Sequence, residues 1–96
     1  MRLEWSRYAT ADRERIYTYL EALHPHAAIA ADDRIGRQTA LLRRHPLAGR
    51  AGRIEGTREL VISRTPYIVA YRAGGNAIWI LRVLHSWQCW PEAMPE

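Results

Sequence analysis

The chain has 96 residues, with 14 arginines, no lysine, 10 acids and a net charge of +4. That length supports one core of two packed layers and no second one, so a single domain over 1–96 is expected. No run of 18 apolar residues and no charged-then-apolar leader is present, and the lone Cys89 has no internal disulfide partner, which together predict a cytoplasmic protein with no membrane association.

Residues 2–6, RLEWS, alternate with Leu3 and Trp5 on one face and predict a first strand. From about Ser6 or Tyr8 to Leu23, the apolar set Ala9, Ile16, Tyr19, Leu20 and Leu23 recurs at helical spacing, with Asp12, Glu14 and Arg15 expected mainly on the wet side. Pro25 suits the first turn of a second helix, where its missing N–H is not needed. That helix is expected to run to about Arg44, with Ala28, Ile35 and Leu42 inward, Arg43 and Arg44 complementing the C-terminal dipole, and Pro46 as the stop. Residues 47–56 carry three glycines and read as a loop. Three strands follow, RELVIS, YIVAYR and AIWILRVLH, joined by the turn chemistry of Thr65-Pro66 and Gly74-Gly75-Asn76.

Regular alternation along the last strand sets Ala77, Trp79, Leu81, Val83 and His85 against Ile78, Ile80, Arg82 and Leu84, and the first set is expected to face the helices. Both sets are largely apolar, which predicts a central strand covered on both sides. The element order is β-α-α-β-β-β. The fold class is α+β, a helical hairpin packed on a mostly antiparallel sheet.

Several side chains are candidates for function. Arg43, Arg44, His45, Arg50 and Arg53 fall within eleven residues that contain no acid, and such a patch either is plain solvated surface or docks phosphates or carboxylates. An all-arginine complement is what a GC-rich genome produces, but guanidinium also pairs bidentately with either anion. His85, at a strand end, suits general acid or base work or a structural contact. Arg82, on an apolar face, needs a carboxylate, for which Glu59 and Glu55 are the sequence candidates, or a mouth to solvent. Trp87 and Trp90 either cap the sheet or anchor a partner. No spacing of His and Cys suggests a metal site, and no motif suggests a cofactor.

Gly49-Arg50, Gly52-Arg53, GTRELVI from Gly56, TPYIVAYR from Thr65, ILRVLH from Ile80 and Trp90-Pro91 together closely resemble the ParE/RelE superfamily, the plasmid-stabilisation toxins of bacterial type II toxin–antitoxin modules. Weaker likeness extends through Trp5-Ser6, Ile16, Tyr19-Leu20, Pro25 and Ile35. The superfamily shares the element order read above. The resemblance implies an antitoxin partner and one of two actions: non-enzymatic poisoning of DNA gyrase, as in the ParE branch, or ribosome-dependent mRNA cleavage, as in the RelE and YoeB branches.

Cleavage through a ribose hydroxyl needs a proton acceptor, a proton donor and cations for the phosphate. RelE-type sequences use clustered Lys or Arg with a C-terminal Tyr, and YoeB-type sequences use Glu, Arg, His and a final Tyr. This chain has no Lys, offers Tyr67-Ile68 where the YoeB-type Arg falls, and follows His85 with Ser86. The ParE branch is therefore favoured, with no catalytic residue assigned; Arg58, Arg82 and His85 are the set a ribonuclease would use. Arg50, Arg53, Trp87 and Trp90 are the target-binding candidates. Tyr8, Tyr17 and Leu41, apolar bodies that do not all fit the inner stripe of the hairpin, are the antitoxin-binding candidates.

Overall fold

The computed structural model describes residues 1–94, leaving the last two residues of the expected 1–96 domain outside it. Its elements are β1 (Arg2–Trp5), α1 (Arg7–Leu23), α2 (Pro25–Ala40), a 3-10 turn (Leu41–Arg43), β2 (Arg50–Ala51), β3 (Arg58–Val61), β4 (Tyr67–Gly74) and β5 (Ala77–His85). The sheet order is β1-β5-β4-β3-β2, antiparallel except for the parallel pair β1–β5.

Ser6 ends β1 and starts α1. Its hydroxyl accepts from the Ala9 amide at 3.0 Å and donates to the Leu81 carbonyl at 2.8 Å, so one side chain caps the helix and fastens it to β5. His24 closes α1 and caps α2, with Pro25 in the first turn as expected. The second helix is shorter than its sequence suggests: regular α geometry stops at Ala40 and the last turn tightens to a 3-10 turn, a common way for a helix to satisfy its final carbonyls.

Ala9, Ile35 and Leu42 from the helical layer pack on Ile62, Tyr67, Val69, Tyr71, Ile78, Ile80 and Val83 of the sheet and its flanks. Each fully buried large apolar side chain contributes about 1.5–3 kcal/mol. A smaller cluster of Ala70, Leu81, Leu84 and Met94, with Ile54 and Trp90 against it, is formed where the C-terminal tail packs back on the sheet.

This division overturns the face assignment for residues 78–81 of β5, while Val83 faces the helices and Leu84 the other side as expected. Trp79 is exposed, and Leu81 belongs to the tail-side cluster, while Ile78 and Ile80 face the helices. The register runs from Tyr71–Ile80 to Ala70–Arg82, which makes Leu81 the extra residue of a β-bulge. Past the bulge the alternation changes phase, so Val83 joins the helix side and Leu84 the tail side. Because both faces of β5 are largely apolar, hydropathy alone leaves the phase open.

Two further expectations are corrected. Asp12, placed on the wet side of α1, is only 3% exposed, whereas Tyr19 and Leu23, placed in the inner stripe, are largely exposed. Residues 50–51, read as loop, form β2 against Arg58 and Glu59. A two-residue strand between glycines is too short to show a period.

Candidate functional site

Glu59 organises the sheet end that carries β2. Its carboxylate is 3% exposed and accepts from the Arg50 guanidinium at 3.1 Å, the Arg53 amide at 2.8 Å and the Arg53 guanidinium at 3.3 Å. Burial on its own raises the Glu59 pKa, but the Arg53 amide, the Arg50 hydrogen bond and the two positive charges outweigh it and hold the carboxyl below its ordinary value. Arg53 in turn lies over the Trp90 ring, 3.8 Å from its centroid, a cation–π contact that ties the tail to this cluster. Three of the four target-binding candidates, Arg50, Arg53 and Trp90, are thus brought together around an acid. The fourth, Trp87, stands apart and is 92% exposed.

The loop before β2 is clamped from below. The buried Tyr71 hydroxyl donates to the Pro46 carbonyl at 2.8 Å and accepts from the Gly49 amide at 2.9 Å, while Arg58 donates to the Gly49 carbonyl at 2.7 Å. Burial raises the Tyr71 pKa, so the phenol keeps the proton that this bridge requires. Gly49 is demanded by the closeness: a Cβ there would lie 2.7 Å from the Tyr71 ring and 2.9 Å from the Glu59 carbonyl oxygen.

Arg82 finds its carboxylate on α1, not at Glu59 or Glu55. Its Nε donates to Asp12 at 2.7 Å and its Nη2 at 3.0 Å, a bidentate pair, and the Val83 amide donates to the same Asp12 at 2.9 Å. β1 ends at Trp5, opposite Ile80, so beyond that point β5 has a free edge and Asp12 supplies the acceptor that a longer β1 would have given. The hydrogen bond from Arg82 to Asp12 raises the Arg82 pKa, with burial opposing. The pairing was hidden because Asp12 lies 70 positions away, on a helix position expected to face solvent.

His85 accepts a hydrogen bond from the Trp87 amide at Nδ1, 3.0 Å, and packs edge-on against Tyr67, 5.6 Å between ring centres. It borders an open groove of about 580 Å³ with Ile16, Leu20, Leu23 and Tyr67. Arg58 is far from it. Arg58 pairs with Tyr71 and His85 with Tyr67, four residues apart on β4, which is about 13 Å along the strand, with about 10 Å more across two strand spacings. General acid–base partners must come within hydrogen-bond reach of a common reacting group.

The antitoxin candidates lie on the first helix and on the turn that closes the second. Tyr17 lines a groove of about 680 Å³ with Trp5, Thr10 and Arg13, and Tyr8 lines one of about 670 Å³ with Arg72 and Trp79, so the two grooves flank the unpaired outer edge of β1. Leu41 is 49% exposed in the 3-10 turn. The sequence reading missed Asp12 and Tyr71 as organising residues. Only Glu59, a lone acid inside a strand otherwise bracketed by Arg50, Arg53 and Arg58, carried a signal that could have marked it.

A family model described as the ParE toxin of the type II toxin–antitoxin system parDE matches residues 3–90. The candidate toxin Y4kP of Sinorhizobium fredii is 39% identical over 93 residues, covering 97% of this chain and 96% of that protein. Among solved structures, a chain of the chromosomal ParDE TA system from P. aeruginosa superposes with a TM-score of 0.81 at 34% identity, over 88% of this chain and 95% of that one. With nearly its whole length matched in sequence and in fold, the chain belongs to the ParE toxin family of type II toxin–antitoxin systems.

Proposed function

We propose that this ParE-family toxin poisons DNA gyrase in the cytoplasm by binding it, without cleaving a substrate, and that a cognate antitoxin neutralises it. The observation that carries the reading is the dispersal of the ribonuclease set. Arg58 is turned onto the Gly49 carbonyl, Arg82 is held by Asp12, and His85 stands more than hydrogen-bond reach from Arg58. A binding poison needs instead an exposed anchor, and Trp87 offers a nearly free indole in the tail.

The antitoxin segment is assigned to the two grooves beside β1 and the exposed hairpin, with Tyr8, Tyr17 and Leu41 as contacts. An unpaired edge strand with a groove on each face suits an extended peptide, whose main chain pairs with the edge while alternate side chains enter alternate grooves. Footprinting of the purified complex should show all three residues protected; full accessibility of Tyr8 and Tyr17 would refute this placement.

For the target, inhibition of gyrase supercoiling by purified toxin is the direct test. Trp87→Ala is expected to weaken inhibition by about 30-fold, the loss of one strong anchor, with an unchanged melting temperature because the side chain is 92% exposed. His85→Ala is expected to retain inhibition. Ribosome-dependent mRNA cleavage by the wild-type chain, falling roughly 100-fold to 10,000-fold in His85→Ala, would replace this reading with the ribonuclease one.

A further inference from the structure

We propose that the platform carrying Arg43, Arg44 and His45, where the helical hairpin ends, binds the phosphodiester backbone of DNA. From Arg34 to Ile54 the sequence holds no acid. Asp33 pairs with Arg37, Asp32 with Arg13, and the buried Glu59 with Arg50 and Arg53, so none of these three carboxylates is left over to neutralise Arg43 or Arg44. Among the described residues, neither Arg43 nor Arg44 takes part in an ion pair, and both are exposed.

The platform is also rigid. Tyr71 and Arg58 reach up from the sheet to bond the backbone at Pro46 and Gly49, so the loop behind these cations has little freedom left to lose when a ligand binds. That bonding argues for a nucleic acid over an acidic peptide. The Gly49 amide and the Pro46 and Gly49 carbonyls are already occupied, so this backbone is poorly placed to pair with a peptide strand, and no aromatic anchor occurs between Arg34 and Ile54. What the surface presents is guanidinium charge, which matches phosphate oxygens in a planar fork and requires no base sequence.

The test is fluorescence anisotropy of the purified chain with a labelled DNA duplex of mixed sequence, titrated across roughly 50–200 mM salt. Two phosphate contacts predict a slope of log K against log salt near −1.8, about 0.9 per phosphate. Arg43→Glu with Arg44→Glu should flatten that slope almost completely, and the milder Arg43→Gln with Arg44→Gln should do the same if charge reversal compromises folding. An absence of salt-dependent binding, a slope untouched in the double variants, or polyglutamate binding at least as tightly as the duplex would overturn the proposal. Gyrase takes no part in the measurement, so its outcome is separate from that of the target reading.

Discussion

Asp12→Ala is expected to lower the free energy of unfolding by about 3–4 kcal/mol, the loss found when one partner of a buried pair is removed. Asp12 is 3% exposed and Arg82 keeps 21% of its side chain in solvent, so the stranded guanidinium is only partly rehydrated. The Val83 amide also loses its acceptor at a point where no strand runs beside it. Arg15, the third partner, is 68% exposed and adds little. Asp12→Asn keeps an acceptor for the amide while removing the charge, and should fall between wild type and Asp12→Ala. Because a domain of this size has only about 5–15 kcal/mol in total, the loss is visible in a urea titration. A change below about 1 kcal/mol in Asp12→Ala would show that the α1–β5 bridge is not what secures the helix.

Glu59→Gln is expected to cost about 2–3 kcal/mol at neutral pH, less than the number of hydrogen bonds suggests because Arg50 and Arg53 are each more than one-third exposed. The pH dependence separates this from a packing effect. The folded carboxyl titrates below its ordinary value of 4.5, so its contribution to stability is fully present above that value and disappears as pH falls through the lower, folded one. Wild type should therefore lose melting temperature more steeply than Glu59→Gln as the pH drops below about 4.5, and the two curves should converge in acid. Parallel curves down to strong acid would rule out Glu59 as the acid-sensitive hub. Because Arg53 bridges Glu59 and Trp90, tryptophan emission should shift with the same midpoint as the tail loosens.

The parts of this fold legible in the sequence are those where one pattern runs long enough to be counted. Ala28, Ile35 and Leu42 are seven residues apart and all fully buried, and the three strands after Gly56 are separated by turns with their own chemistry. Gly75 takes φ 56 at the tip of the last hairpin, as the Gly-Gly-Asn run suggested. What escaped the sequence were events one residue long. The bulge at Leu81 breaks the alternation along β5, so the phase that holds for Val83 and Leu84 fails for Ile78, Trp79, Ile80 and Leu81. Asp12 falls at a helical position suited to solvent, and only the early end of β1, a fact about another element, makes it an internal acceptor. The cluster of Arg50, Arg53 and Trp90 was legible as a list of residue types but not as a constellation, because the acid that gathers them lies on a neighbouring strand.

The parallel pairing of β1 with β5 also governs when the molecule can exist. Trp5 and Ala77 are 72 positions apart, from 5 to 77, and β1 has no other strand partner. At a synthesis rate of about 5–20 residues per second, a nascent β1 waits roughly 4–14 s for the strand that holds it. The Ser6 hydroxyl and the Asp12 carboxylate wait as well, since their partners are Leu81, Arg82 and Val83. Contacts this distant in sequence form late and slow the final step. Until β5 has been made, the first strand and the first helix lack the partners that fix them, so a partial chain cannot close the fold from its N-terminal end.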